Sequence, residues 1–370
     1  MFLFKKKSKS RLGIDISASA IKLVELEKKE ERYRLKNYAI FSLREYFKKK
    51  KIKGDFRSVK LSNEEIAGII KKTINYAKIE SRNVCLSIPV YSSFSTVIDF
   101  PLMSEKEIAS SIPFEARKYI PVPISEVVLD WSIIDPKESN QGKVVKQQPM
   151  DSSRNQKSKQ QVLLIAVPKE IINSYKKIIS LSGLNLNVIE EETFSLSRCL
   201  IGNDKSPTLL IDAGFRSINV SIIDNGYIKM THNLEMGGVK IDEAISKQMN
   251  LSLEQAEEMK IKLSDNKSIH KDNLQLREII NSVLKLIVIE INKIIDAYQI
   301  KHNKKIEKCI LTGGYFQLSS FVDYLTNKLS LDISLGDPFA RIVYFPLLKP
   351  AIKELGSLLS VAVGLAMREE

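Results

Sequence analysis

Two aspartates, Asp15 and Asp212, each end an apolar run and are followed by a turn of small residues. The first unit reads LGID, a turn of Ser and Ala, then IKLVEL; the second reads LLID, Ala213-Gly214, then INVSIID before a further Asn-Gly turn. This pattern predicts two β-hairpins with an acid at each bend. Small residues let backbone N–H groups form a nest for phosphate oxygens, and a carboxylate can hold the Mg²⁺ that a phosphate carries, often through water.

The repetition of this unit predicts two similar halves facing each other across a cleft, where opposed bends would grip a polyphosphate from both sides. The alternative for either unit alone is an ordinary exposed hairpin with a turn aspartate, which is common. The pair Gly237-Gly238, before a helical pattern, can aim backbone N–H groups and a helix N-terminus at phosphate, although a plain turn is equally consistent with it. A second pair, Gly313-Gly314, follows the apolar strand CILT.

Composition places the chain among globular proteins and argues against several classes of function. The 370 residues are 44% hydrophobic, which is enough for two domains or one large two-lobed domain. The net charge of +13 favours contact with an anionic surface, but no nucleic-acid motif or interleaved surface aromatic accompanies it. We therefore expect no nucleic-acid partner.

The three cysteines stand alone in apolar segments, so neither a disulfide framework nor a metal site is expected, and a reducing cytoplasm fits. The sequence contains no transmembrane run, and MFLF followed by KKKSKSR has its charges on the wrong side for a signal peptide. We therefore expect a soluble protein; its basic N-terminal segment could touch an anionic membrane surface, although a disordered tail is the favoured alternative.

Hydrophobic periodicity predicts the elements that must position the two turns. The alternation in Tyr33 to Phe47 predicts a third strand after the first hairpin, and residues 63–79 form an amphipathic helix capped by Ser62 or Asn63. VLLIAV at 162–167 is expected to resume the core of the first half, and SLEQ at 252–255 is a capping box. The predicted domains are a basic tail (1–10), a first lobe (11–89 and 162–205), an inserted α+β subdomain (90–161) containing a disordered loop (137–161), a second-lobe core (206–240 and 305–370) and a second-lobe helical subdomain (241–304).

The order of these motifs resembles the actin-like ATPase superfamily, an α/β, two-lobed, duplicated ribonuclease H-like fold. The residues that carry the resemblance are the two Asp turns, a helical AExxK (Ala256, Glu257 and Lys260) and a strand followed by Gly313-Gly314. A narrower match covers nearly the whole chain: GIDISASAIKLVEL, IPFEARKYIPVPISEVVLDW, EMGG, SLEQAEEMKIKL, LTGG, DPFARI and VGLAMR. Together these resemble the PilM family, the actin-like proteins of the type IV pilus inner-membrane platform, which are similar in fold to FtsA.

The resemblance implies ATP and Mg²⁺ as cofactors, with the nucleotide between the lobes. Departures from the family pattern at Ser17, Phe215 and Tyr315 predict at most weak ATPase activity. It implies these phosphate-binding positions: Asp15, Ser17, Ala18, Ser19, Lys22, Asp212, Gly214, Arg216, Gly237 and Gly238. Asp15 and Asp212 would hold Mg²⁺ through water. The implied adenosine-binding positions are Glu257, Lys260, Gly313, Gly314 and Tyr315. The residues themselves offer no clear general base, since both aspartates suit metal-holding better than proton abstraction.

The resemblance also implies a partner, the cytoplasmic N-terminal peptide of a PilN-like inner-membrane protein, bound in a groove between the insert and the first lobe. Other pilus platform proteins and motor ATPases are further candidate partners. The resemblance also implies a cytoplasmic location at the inner face of the cytoplasmic membrane, with the membrane reached only peripherally through the partner. The candidate groove residues are Phe94, Phe114, Tyr119 and Ile120, with Trp131 as a fifth aromatic or apolar side chain of the insert. For any one of these, membership of the insert's own small core is the alternative.

Three positions depart from the family pattern: Ser17 stands where Gly is usual, Phe215 is bulky for a nest, and Tyr315 stands where a third small residue is common. These departures leave open a scaffold that keeps the fold without binding nucleotide. An FtsA-like filament former tethered to the membrane is a second alternative, although no amphipathic helix follows VGLAMREE in the sequence. A sugar or acid kinase would need a catalytic Asp in a recognisable motif, which neither Asp99 nor Asp130 has.

Overall fold

The structure is a computed structural model that describes residues 10–50, 61–134, 159–265, 271–314 and 319–369. Residues 1–9 of the predicted basic tail and residues 137–158 of the predicted loop lie outside the described residues, as does Tyr315. Ser10 begins the first strand, and residues 159–161, predicted to be disordered, begin another strand. The described chain forms two large sheets and one small one.

The first large sheet has the strand order β14-β3-β2-β1-β4-β8. Its strands are β1 (Ser10–Ile16), β2 (Ala20–Lys29), β3 (Arg32–Ser42), β4 (Asn83–Ile88), β8 (Asn185–Glu191) and β14 (Ile342–Val343). Strands β1, β2 and β3 are antiparallel neighbours, whereas β4 and β8 run parallel to β1. The predicted first hairpin is therefore present, with its acid at the end of β1.

The second large sheet has the order β11-β10-β9-β12-β13. Its strands are β9 (Thr208–Ala213), β10 (Ile218–Asp224), β11 (Tyr227–Leu234), β12 (Lys308–Thr312) and β13 (Asp332–Leu335). It repeats the plan of the first sheet: three antiparallel strands, then two strands parallel to the first of them. The duplicated, two-lobed α/β fold predicted from the two Asp hairpins is thus observed.

The small sheet corrects one predicted boundary. It consists of β5 (Phe94–Pro101), β6 (Val127–Ile134) and β7 (Lys159–Pro168), in the order β5-β7-β6. Residues 162–168 were predicted to return to the first lobe, but β7 is the central strand of the inserted sheet and is paired on both sides. Its continuous apolar run VLLIAV fits any buried strand, so composition could not distinguish the two sheets.

The helices lie between and around these sheets. They are α1 (Leu43–Lys49), α2 (Asn63–Tyr76), α3 (Glu105–Ala116), α4 (Lys169–Leu181), α5 (Glu192–Leu196), α6 (Gly238–Met249), α7 (Leu253–Asp265), α8 (Lys271–His302), α9 (Ser319–Lys328) and α10 (Lys349–Ala366). The Ser62 side chain caps α2 in a capping box with Glu65, and Ser252 and Gln255 make the same reciprocal bonds at α7.

The predicted third strand ends earlier than expected. Residues 43–47 were expected to continue β3, but they form the first turns of α1. The Ser42 hydroxyl accepts a hydrogen bond from the Glu45 N–H at 3.3 Å and so caps the helix. Leu43 and Phe47 are buried on one side of this helix, which satisfies helical spacing as well as strand alternation over so short a run.

One hydrophobic cluster joins the three sheets. It contains Cys85 of β4, Leu163 of β7, Leu210 of β9 and Val361 and Leu365 of α10. The last helix is therefore buried at the junction, and it contacts both lobes there.

Candidate functional site

A cavity of about 960 Å³ lies between the two large sheets. Most of the predicted phosphate and adenosine positions line it: Asp15, Ser17, Ala18, Ser19, Lys22, Asp212, Gly214, Arg216, Glu257, Lys260, Gly313 and Gly314. These residues come from both halves of the sequence, so the fold brings the two Asp turns to a single cleft as the repetition predicted.

The first turn carries a buried ion pair. Asp15 and Lys22 face each other across the antiparallel β1–β2 pair, and the Lys22 Nζ lies 2.8 Å from Asp15 Oδ2. Asp15 is 1% exposed, and its other oxygen accepts a hydrogen bond from the Ser87 hydroxyl. Burial lowers the pKa of Lys22, but the charge of Asp15 and the hydrogen bond to it outweigh that effect and raise the pKa above its ordinary value.

Ser17 closes this turn internally. Its backbone N–H and its hydroxyl both donate to the Ala20 carbonyl, at 3.0 and 2.9 Å. The serine that replaces the usual glycine thus bonds within the turn in this structure, and its hydroxyl does not donate into the cavity. Ala18 and Ser19 form the rest of the cavity wall at this turn.

The second turn places Asp212 at the other side of the cleft, close to the end of β9. Burial raises its pKa to about 6, while the Lys22 charge lowers it and the Asp15 charge raises it. The charges of Asp15, Lys22 and Asp212 therefore interact, although Asp212 is about 200 residues from the other two in sequence. Asn219, paired with Asp212 in the β9–β10 register, extends this polar group.

The structure adds an acid that the sequence analysis missed. Glu192, the first residue of α5, lines the same cavity and is 8% exposed. Burial, then the charges of Asp15 and Asp212, raise its pKa well above the ordinary value, and it accepts a hydrogen bond from Asn219 at 3.2 Å. The signal available in the sequence was a run of three glutamates, Glu190 to Glu192, directly after LNVI, at the carboxyl end of a parallel strand.

The predicted role of Gly237 and Gly238 in phosphate binding does not match their geometry. Their N–H groups donate to the carbonyls of Arg216 and Gly214, each at 3.2 Å. A Cβ on Gly237 would lie 2.4 Å from the Arg216 backbone carbon. The N–H groups of this pair are therefore used to support the second turn, and the close approach at Gly237 leaves no room for a Cβ there.

The pair Gly313-Gly314 is fixed beside the second turn by strand pairing. Thr312 of β12 lies opposite Asp212 of β9, so the turn after β12 must pass next to this acid. Gly313 has a φ of +100°, and a Cβ there would lie 2.4 Å from the Ala213 carbonyl oxygen and 2.6 Å from Asp212 Oδ1. Both its φ and the close approach require glycine.

The two charged adenosine candidates have protein partners in this structure. Glu257 of α7 lies 3.4 Å from the Nε of Arg44, which belongs to α1 across the cleft. Lys260 lies 2.5 Å from Asp242, which is fully buried, and donates to the Gly238 carbonyl. These contacts tie α7 to the first lobe and to α6, so a ribose would have to share Glu257 with Arg44.

The candidate groove residues of the insert fall into two groups. Phe114 and Tyr119 are exposed, at 66% and 42%. Ile120 is 6% exposed in the core of the small sheet, against which Phe94 and Trp131 also pack. The groove prediction is therefore wrong for Ile120, whose side chain stabilises the insert and is not available to a peptide on the surface.

Metal binding by side chains alone is not supported where the structure describes the chain. No group of three or more His, Cys, Asp or Glu side chains is arranged there to hold a metal ion. The donor set of the cavity, two opposed aspartates with Lys22 between them, suits an ion that brings its own phosphate and water ligands.

The sequence profile described as type IV pilus assembly protein PilM matches residues 13–370. The chain belongs to the PilM family. A solved PilM-PilN type IV pilus biogenesis complex has a TM-score of 0.77 with this structure, at 23% identity over 97% of this chain and 98% of that one. MreB5 of Spiroplasma citri bound to ADP shares the fold, with a TM-score of 0.51 and 13% identity over 96% and 94% of the two chains.

The cell division protein FtsA of Enterococcus faecalis is 25% identical in an alignment of 195 residues that covers 46% of this chain and 43% of that relative. The match thus spans less than half of FtsA. Within the described ranges of this PilM family member, no helix has the length and apolar character needed to cross a bilayer.

Proposed function

We propose that this PilM family member binds Mg·ATP in the cleft and, in the cytoplasm at the inner face of the membrane, binds the N-terminal peptide of a PilN-like inner-membrane protein. The observation that carries the nucleotide part is the convergence of both Asp turns, Lys22 and Arg216 on one cavity of about 960 Å³. Such a cavity is large enough for a nucleotide. MreB5, which shares the fold, was solved with ADP.

Charges inside the cavity favour a polyphosphate that carries a divalent cation. Lys22 and Arg216 supply positive charge for phosphate oxygens, and Asp15 and Asp212 supply carboxylates for the water shell of Mg²⁺. Glu192 lines the cavity together with both aspartates and is the carboxyl group that we assign to accept a proton from a water molecule, when it is itself deprotonated. We therefore expect slow hydrolysis at most, lost in Glu192→Gln while binding is kept.

Similarity to the solved PilM-PilN complex supports the proposed binding of a PilN-like peptide, since that structure aligns with 97% of this chain. The exposed Phe114 and Tyr119 are the two groove candidates available at the surface. An extended peptide can add to a sheet edge of the insert and place apolar side chains against such aromatics.

A nucleotide-free scaffold is the second candidate function, and two contacts favour it. The Ser17 hydroxyl is used within its own turn, and Glu257 is paired with Arg44 across the cleft. A protein that no longer binds ATP would keep the lobes together by such contacts.

Calorimetric titration separates these two functions. The purified protein is titrated with Mg·ATP and then with a synthetic peptide of the cytoplasmic end of a PilN-like protein, with Asp212→Ala as the matched variant. Micromolar nucleotide binding that is lost in Asp212→Ala, with unchanged circular dichroism, supports the proposal. Peptide binding without any nucleotide binding supports the scaffold instead.

A further inference from the structure

The inserted sheet contacts the second lobe as well as the first, to which the chain connects it. Its first residue follows Pro89, and β7 runs directly into α4 of the first lobe. On its other side, Lys229 of β11 donates to the Gln161 side-chain oxygen at 3.1 Å. Lys229 is 3% exposed and Gln161 is partly buried, so water has limited access to this bond between the second lobe and the insert.

A second contact between the insert and the second lobe lies in the cavity itself. Tyr91 belongs to a 3₁₀ turn, Val90–Ser92, with which the insert begins, and its ring centroid is 6.0 Å from the guanidinium carbon of Arg216. Both side chains line the cavity. The geometry is that of a cation–π contact, which at an exposed site contributes about 0.5–1 kcal/mol.

The same turn is bonded to two acids at the junction of β8 and α5, Glu191 and Glu192. The Ser93 hydroxyl donates to Glu191 at 2.6 Å, and the Val90 N–H donates to the Glu192 carboxyl. Glu191 and Glu192 are 4% and 8% exposed, so each bond is to a buried carboxyl group. The turn Val90–Ser93 is thus held firmly on the first-lobe side and weakly, through Tyr91, on the second-lobe side.

We propose that the inserted sheet follows the opening of the cleft through two contacts, Arg216 with Tyr91 and Lys229 with Gln161. A phosphate group in the cavity attracts Arg216 more strongly than an aromatic ring does, because a charge-assisted pair with phosphate exceeds a cation–π contact. Rotation of the second lobe also changes the distance between Lys229 and Gln161. Nucleotide occupancy is thereby transmitted to the surface of the insert.

This inference rests on the proposed function, since it needs a nucleotide in the cleft and a partner surface on the insert. It differs from the proposed function in assigning the transmission to named contacts. Two sites linked in this way show a coupling that typically changes affinity by about 5- to 150-fold.

Hydrogen exchange of the full chain, measured by mass spectrometry without nucleotide, with Mg·ADP and with Mg·AMPPNP, tests the inference. We expect exchange of amides in β5 and β6 to change by about fivefold or more on nucleotide binding in the wild type. The change is expected to vanish in Gln161→Leu and to diminish in Tyr91→Leu. Gln160→Leu is the matched control, because Gln160 donates to the Pro101 and Met103 carbonyls within the insert.

Calorimetry on the same samples makes the outcomes distinguishable. If nucleotide binds but exchange in the wild-type insert is unchanged, or if Gln160→Leu loses the change as Gln161→Leu does, the inference is wrong and the proposed function stands. If neither nucleotide binds, the proposed function fails and the inference fails with it. Circular dichroism of each variant checks that loss of the change is not loss of the fold.

Discussion

Replacing Gly313 with alanine tests whether the turn after β12 requires glycine because its backbone lies so close to Ala213 and Asp212. The residue has a φ of +100°, which lies beyond the left-handed minimum near +57° and costs an alanine about 1–3 kcal/mol. The added Cβ would also lie 2.4 Å from the Ala213 carbonyl oxygen. Relief of that overlap costs a further ~1–3 kcal/mol.

Gly183→Ala provides a matched control for this substitution. Gly183 follows α4 with a φ of +71°, but a Cβ there would meet nothing within 4 Å. The control therefore measures the cost of the backbone conformation alone, about 1–2 kcal/mol. The difference between the two variants reports the close approach to β9 together with the additional backbone strain at the φ of +100°.

Urea denaturation followed by circular dichroism gives the two free energies of unfolding. We expect Gly313→Ala to lose about 4 kcal/mol and Gly183→Ala about 1 kcal/mol. Calorimetry should show a second difference, because Asp212 Oδ1 lies 2.6 Å from the added Cβ and must turn away. Mg·ADP affinity is expected to fall in Gly313→Ala and to stay unchanged in Gly183→Ala. Equal destabilisation of the two variants would refute the close-approach argument.

Three further substitutions address the charges of the cleft and the first lobe. Burial raises the pKa of Asp212 to about 6, so the carboxyl group must lose a proton before it can hold Mg²⁺. The ratio of wild-type to Asp212→Asn affinity for Mg·ADP, measured by calorimetry, should therefore fall about tenfold from pH 7 to pH 5. If the two proteins show the same dependence of affinity on pH, Asp212 does not hold the metal ion. Arg44→Met removes the ion pair with Glu257 across the cleft and should speed the release of a fluorescent ADP by up to about fivefold, roughly 1 kcal/mol, in stopped-flow measurements. Lys48→Met is the control, because its ion pair with Glu254 of α7 spans 4.0 Å at the surface, and it should leave the release rate unchanged. Arg198→Met should lower the free energy of unfolding by about 2 kcal/mol in urea, because it leaves the buried Glu190 with one fewer of its arginine partners; a loss below about 0.5 kcal/mol would contradict that view.

The sequence was sufficient to predict the duplicated fold because each half repeats a local pattern. Residues 12–26 and 209–224 each contain an apolar strand, an acid, a turn of small residues and an alternating strand. These signals depend only on neighbouring residues, so they can be recognised without the tertiary structure. The helix caps at Ser62 and Ser252 are equally local, since each depends on residues three positions apart.

Predictions failed where two arrangements share one local pattern. The run VLLIAV fits a central strand of either sheet, and only pairing with β5 and β6 assigns it to the insert. Ile120 belongs to an aromatic-rich segment that resembles a binding surface, yet it lies in the core. Gly237 and Gly238 resemble a phosphate loop, but hydrogen bonds to the second turn use their N–H groups.

What the sequence alone determined was most of the elements, the two acids at strand ends and the residue types that line the cleft. What only the tertiary structure decided was which charged side chains lie close enough to interact. Glu192 joins Asp15 and Asp212, and Arg44 meets Glu257, because strands and helices remote in the chain converge at one cleft. Charge interactions depend on distance and burial, and neither quantity is written in the order of the residues.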